Sequence, residues 1–305
     1  MPSEEMGQLL EDLRTRQRQA AQQPTPSLAE LRAGFLPIGR PHPIPDDVMV
    51  TEAVAGGVLA HWLDAPGADP RKVLMFLHGG GFQFGSLASD GELAARLGRA
   101  AGMRVLFPEY RLAPEYPFPA ALDDVRAAWR WLTDEQGLPR HSLAVAGDSA
   151  GGGLAMSMMV AGRDDGDPLP AAAVLMSPTV DLTSSGASMT ERVDQDPIST
   201  PALLAGLAAD YLAGADPRAP SASPLFAPLA GIPPLLIVVG TADLLLSDSE
   251  RLAAAAETAG VSVTLDVGEG LPHVYPLADG TPEAARATDL IGRFLRDHLG
   301  SSVIE

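Results

Sequence analysis

Apolar residues fall along this chain in two rhythms. Short runs such as VLMFL (73–77) and LLIVV (235–239) are continuous and rich in Val and Leu, the pattern of strands buried on both faces. Between such runs, apolar positions recur every three or four residues, which is helical spacing. Strands are predicted near 48–54, 57–63, 73–77, 104–108, 142–146, 172–176, 235–239 and 262–267. Helices are predicted near 88–101, 120–135, 150–163, 200–213, 247–259 and 282–299. Short strands alternating with helices argue for an α/β fold, a mostly parallel sheet of about eight strands flanked by helices on both faces. The first two strands lie close together in sequence and read as an antiparallel hairpin at one edge.

Two regions break the alternation. Residues 3–22 read as one polar helix and 26–35 as a second, with Ser27 and Glu30 fitting a capping box. Residues 36–47 form a proline-punctuated connector. The stretch 181–230 is rich in Ser, Pro, Ala and Asp. It lengthens one strand-to-strand connection to about sixty residues, the size of a functional insertion such as a lid. No internal repeat and no low-complexity tract is evident.

Composition narrows the class. With 305 residues, 46% of them hydrophobic, the chain can build one large core. A formal charge of −18 and a pI near 4.6 have the wrong sign for nucleic acid or for an anionic membrane surface. The absence of cysteine excludes disulfides, thiolate catalysis and cysteine-held zinc or iron–sulfur centres. The N-terminus is charged and lacks an apolar h-region, and the longest apolar runs are far too short to span a bilayer. A soluble cytoplasmic protein is the expectation.

The chemistry lies at the strand ends. Gly147-Asp148-Ser149-Ala150-Gly151 sits between a predicted strand and a predicted helix. This is the G-x-S-x-G setting, in which glycines permit a sharp turn that lifts the serine above the sheet. A serine hydroxyl needs a base. Of the histidines at 42, 61, 78, 141, 273 and 298, only His78 and His273 share the serine's edge of the sheet. His78 is embedded among glycines, so His273 is the expected base. The base needs an acid to hold its tautomer. Asp243, just past a strand, is chosen over Asp248, which sits inside Ser247-x-x-Glu250 and reads as part of a capping box at a helix start. The three glycines after His78 leave backbone N–H groups unobstructed. Gly79 and Gly80, with Ala150 beside the serine, are the expected donors to an oxyanion.

These motifs together resemble the hormone-sensitive-lipase-like esterases of the α/β-hydrolase superfamily, of the bacterial GDSAG type. The resemblance rests on His78-Gly79-Gly80-Gly81-Phe82, YRLAPEYPFPAALDD (110–124), GDSAGG (147–152), Asp243 and His273. DQDPIS (194–199) is similar to the Asp-Pro-Ile element of those members. The chain departs from many of them in continuing His273-Val274-Tyr275-Pro276 where they have His-Gly-Phe, which looks more like the subset of lactone hydrolases or related esterases. The resemblance implies the α/β-hydrolase fold with a helical cap made of residues 1–45 and 185–225, over a catalytic domain of 46–184 and 226–305. It implies hydrolysis of small carboxylic esters, of short or medium acyl chain or lactones, through an acyl-enzyme on Ser149. No metal or organic cofactor is required. A homodimer is expected by analogy with members that pair through a sheet edge or a late helix.

Supporting roles are expected for four more residues. His78 shapes the glycine loop by hydrogen bonding, and Gly81 and Asp148 are counted as supporting neighbours in their motifs. Asp196 either braces the cap against the site or caps a helix. Arg111 and Glu115 read as an ion pair bracing the oxyanion loop. Trp62, Trp129 and Trp131 read as core or partly exposed anchors. Two alternatives stay open, a ligand-binding protein on the same scaffold and an amidase using the same triad. Retention of serine, acid and histidine speaks against the first. Activity is expected to rise with pH over roughly 6–7 as the base loses its proton.

Overall fold

The computed structural model describes residues 2–20, 22, 26–36, 38 and 43–299. His42 and much of its connector lie outside the described residues. The strands are β1 (Met49–Ala55), β2 (Val58–Asp64), β3 (Asp69–Leu77), β4 (Met103–Pro108), β5 (Leu143–Asp148), β6 (Ala172–Met176), β7 (Leu235–Ala242) and β8 (Val263–Pro272). The helices are α1 (Glu4–Ala20), α2 (Leu28–Ala33), α3 (Leu87–Ala101), α4 (Ala120–Arg130), α5 (Ala150–Asp165), α6 (Ser188–Glu191), α7 (Pro201–Leu212), α8 (Leu246–Thr258) and α9 (Pro282–His298).

Among the described residues the strands form one sheet in the order β1-β2-β4-β3-β5-β6-β7-β8. β2 runs antiparallel to both β1 and β4, and every other pairing is parallel. The expected edge hairpin is there, closed by Gly56 and Gly57 at φ 59° and 88°, the two positive values a type I′ turn requires. The continuous apolar runs divide by alternate residues. Val73, Met75 and Leu77 face one layer, with Val125, Leu154 and Leu252. Leu74 and Phe76 face the other, with Leu93, Ile291 and Leu295. Both faces are therefore dry, which explains the strands' lack of polar positions.

The N-terminal helices dock on this body. Met6, Leu9, Leu10 and Leu13 of α1 are buried in the second layer, and Ser3 bonds Glu283 at the start of α9. The capping box of Ser27 and Glu30 is formed. The predicted helix 120–135 is α-helical only to Arg130 and continues as a π turn from Trp131 to Glu135. There the Trp131 ring meets Trp62 at 5.9 Å, while Trp129 donates to the carbonyl of Pro168, so the tryptophans are anchors as expected.

Candidate active site

Strand register brings the site together. Leu77 of β3 lies opposite Gly147 of β5, so the glycine turn and the serine turn begin at the same level. Ala242 of β7 pairs with Pro272 of β8, so Asp243 and His273 leave the sheet side by side. These turns all open at the carboxyl edge of the parallel strands, where open α/β sheets place their ligands.

Ser149 holds φ 50° and ψ −118°, a conformation that L-residues seldom adopt. Its N–H donates to Met176 O at 2.8 Å, and its carbonyl accepts from Gly153 and Thr179. The flanking glycines allow this turn by close approach. A Cβ on Gly151 would lie 2.0 Å from Leu77 O, and one on Gly147 would lie 2.4 Å from Gly151 O. The Ser149 hydroxyl is 3.0 Å from His273 Nε2. His273 Nδ1 is 3.1 Å from both carboxylate oxygens of the fully buried Asp243. A carboxylate at Nδ1 fixes the tautomer that leaves Nε2 free to accept the serine proton. Asp243 is held in turn by the N–H of Leu245 at 2.8 Å.

Asp196 braces rather than merely caps. Its Oδ1 accepts N–H bonds from Ile198 and Ser199, and its Oδ2 accepts one from Leu244, beside Asp243. Burial and the nearby Asp243 push its carboxyl up to about 6. Burial pulls the His273 imidazole down, but the charge and hydrogen bond of Asp243 and the charge of Asp196 outweigh it, and the net shift is upward. Asp248 corrects an expectation. α8 already begins at Leu246, so no capping box forms at Ser247, whose hydroxyl instead accepts from Ser188 N. Asp248 is fully buried and receives the N–H groups of Val180 and Asp181.

The glycine turn also departs from expectation by one residue. Gly79 does not line the cavity beside Ser149, whereas Gly80 and Gly81 do. Gly79 is pressed on Asp148 instead. A Cβ there would lie 2.1 Å from Asp148 Oδ2, and its N–H favours the ionised form of that carboxylate. Burial, reinforced by the charge of Asp90, nevertheless holds the Asp148 carboxyl well above its usual range. His78 hydrogen-bonds within the loop. Its ring stacks between Phe107 and Tyr110, and Nδ1–H donates to Gly79 O at 2.8 Å. Burial lowers its pKa to about 4, so the ring is neutral. Tyr110 Oη donates to His78 O at 2.6 Å. Arg111 does not pair with Glu115. It forks onto Asp124, while Glu115 is taken by Arg32 of α2.

The remaining described histidines lie elsewhere. His61 faces Glu109, His141 is exposed before β5, and His298 bonds Phe294 O. One supporting residue carries almost no signal in the sequence. Ser177, fully buried at φ 47°, accepts the N–H of Val274 and so fixes the backbone after His273. Only its place just past β6 could point to it. A cavity of about 150 Å³ opens over Ser149. Phe35 and Ile38 wall it from the N-terminal segment, and Leu203, Leu204 and Leu207 from α7.

A serine bonded to a carboxylate-backed imidazole, in the chain order Ser, Asp, His at the carboxyl edge of such a sheet, has the geometry of an α/β hydrolase. Comparison with known proteins reaches the same class. A family model described as alpha/beta hydrolase fold matches residues 74–277. An acetyl-hydrolase of Streptomyces hygroscopicus is 44% identical over 260 residues, 85% of each chain. An esterase of Acinetobacter venetianus is 33% identical over 229 residues, 74% of this chain and 75% of that one. The crystal structure of an esterase from the bacterial hormone-sensitive lipase family is 39% identical, with a TM-score of 0.91 over 98% of this chain and 100% of that one. The chain belongs to the α/β-hydrolase family and, within it, to the bacterial hormone-sensitive-lipase esterases.

Proposed function

We propose that this protein hydrolyses small carboxylic esters, of short to medium acyl chain or cyclic, through an acyl-enzyme on Ser149. The observation that carries the reading is the unbroken hydrogen-bond chain from Ser149 Oγ through His273 to Asp243, opening into a small apolar cavity. Ser149 attacks the ester carbonyl as His273 Nε2 takes its proton, and Asp243 stabilises the imidazolium. The imidazolium protonates the departing alkoxide. Water then attacks the acyl carbonyl with His273 again as base, and the acid leaves.

The oxyanion donors in this reading are the N–H groups of Gly80, Gly81 and Ala150. Gly80 and Gly81 line the cavity, while Gly79 packs against Asp148 instead. Ala150 is the first residue of α5, so its N–H has no intrahelical acceptor. Residues 1–45 and 185–225 act as the cap, a role supported by the side chains each contributes to the cavity wall. The walls are mostly apolar and the cavity is about 150 Å³, which favours short acyl groups.

The test is turnover of p-nitrophenyl butyrate by wild type and Ser149→Ala, with intact-mass and peptide mapping after paraoxon treatment. A single adduct on Ser149, and turnover reduced at least about a thousandfold in the alanine variant, is the expected result. Adduct formation elsewhere, or full activity without the serine hydroxyl, would refute the mechanism.

A further inference from the structure

The glycine turn cannot hold its own shape. Gly80, Gly81 and Phe82 take φ values of 105°, 61° and 63° in succession. Two of these are open to glycine, but Phe82 carries a side chain into a region that L-residues avoid. Such a conformation persists only where the surroundings over-determine it. The surroundings here are the two segments that also cover the cavity.

From α7, the Tyr211 ring stacks on Phe82 at 3.8 Å and 10°. The neighbouring Asp210 accepts from Gln83 Nε2 at 3.0 Å, and Leu207 lies over Gly81, 2.5 Å from where a Cβ would stand. From α2, Arg32 Nε donates to Gln83 O at 2.9 Å, and its other nitrogens reach Ala113 O and the Glu115 carboxylate. Ala113 N–H in turn donates to Phe82 O at 2.9 Å. Phe82 and Gln83 are thus gripped from α2, from the loop after β4 and from α7. They directly follow the two glycines whose N–H groups the proposed mechanism uses. Neither Arg32, Asp210 nor Tyr211 is among the residues lining the cavity.

We infer that Arg32, Asp210 and Tyr211 are positioning residues that make the oxyanion hole depend on docking of both cavity-covering segments, an inference that rests on the serine-hydrolase reading above. Oxyanion donors are effective because they are aimed in advance of the reaction. A donor loop released at Phe82 and Gln83 would still admit substrate but would no longer point its N–H groups at the developing charge. Closure over the substrate and assembly of the catalytic machinery then become one event, the logic of a lid that completes its site.

The test uses the full chain with Tyr211→Leu, Asp210→Ala and Arg32→Ala, and the conservative Tyr211→Phe and Arg32→Lys. Rates are normalised to sites titrated with paraoxon, which removes any loss due to misfolding. The expected result for each disruptive variant is a kcat about tenfold or more lower with KM within about twofold, the size of effect that misplacing a donor group produces. Inhibition by an alkyl trifluoromethyl ketone, whose adduct carries an oxyanion, should weaken by the same factor as kcat/KM. Tyr211→Phe, which keeps the ring, should recover most of the loss. Unchanged kcat per titrated site, or a raised KM with unchanged ketone inhibition, would overturn the inference. If Tyr211→Leu fails to fold, Asp210→Ala and Arg32→Ala probe the same dependence from the surface side. Absence of turnover in wild type would instead remove the esterase reading, and the inference with it.

Discussion

Two carboxylates face one imidazole behind Ser149, and this sets the pH dependence. In the proposed mechanism His273 must be neutral to accept the serine proton. Its pKa is raised by Asp243 and Asp196 against the pull of burial, so the acid limb of kcat/KM belongs above the ordinary histidine value of about 6.5. Burial and the charge of Asp243 push the Asp196 carboxyl upward, and its charge in turn favours the imidazolium of His273. Replacing Asp196 with Asn removes a negative charge near the imidazole, and the limb should move to lower pH. The amide would also set a donor against Leu244 N–H, so a stability loss of about 1–3 kcal/mol is expected alongside. A pH series of kcat/KM for wild type and Asp196→Asn, with denaturation of both, checks the pair of effects. A wild-type limb below 6.5, or one that the substitution leaves in place, would remove Asp196 from the electrostatics of the site. Ser149, Asp243 and His273 are legible in the sequence because each follows a strand and the chain order restricts the choice. For Asp196 the sequence leaves bracing and helix capping undecided, since its partner Leu244 is 48 residues away in sequence.

At the scale of elements, the site is a set of strand ends locked in register by glycine. Gly151 lets α5 begin almost against the end of β3, with Leu77 O and His78 O both within 2.5 Å of a virtual Cβ. These are backbone atoms, and they cannot yield as a side chain could. Gly151→Ala should therefore cost at least roughly 1–3 kcal/mol, the usual penalty of overpacking, and displace Ser149 from His273. Chemical denaturation and activity per titrated site measure the two losses. An unaltered midpoint would mean that α5 can shift without penalty. The same scale shows where pattern reading stops. The alternation of strand and helix predicts the sheet correctly, because each period reports the faces that are buried. Which glycines face the cavity depends on the hand of the turn, and a glycine run carries no side chains to reveal it. Arg111 and Glu115 lie in one motif, yet each finds its partner elsewhere, Asp124 and Arg32 respectively. The π turn after Arg130 is indistinguishable from α-helix in the sequence, because five residues are too few to break a 3.6-residue period.

For the whole molecule the dominant electrostatic fact is the excess of 39 acidic over 21 basic residues. Lys72 is the only lysine in the sequence, so nearly every base is a guanidinium able to fork onto carboxylates. Arg126 bridges Asp165 and Asp167, Arg99 holds Asp47, and Arg286 holds Asp266. Arg99–Asp47 is exposed, and such pairs are each worth little, whereas Arg126–Asp167 is partly buried. The unmatched charge of −18 acts over the whole surface and opposes the compact state. Salt weakens both effects, but unequally. Contact pairs at hydrogen-bond distance are short-ranged, whereas the self-repulsion extends over separations comparable to a Debye length of about 10 Å at 0.1 M. Screening should therefore relieve more repulsion than it removes attraction. Raising NaCl from low millimolar to about 0.2 M should stabilise the fold by about 1 kcal/mol, roughly 2 °C in Tm for a chain of this size. A thermal melt across that range at pH 7.5 decides the sign. A falling Tm would mean that the arginine pairs, acting as networks, outweigh the excess charge around them.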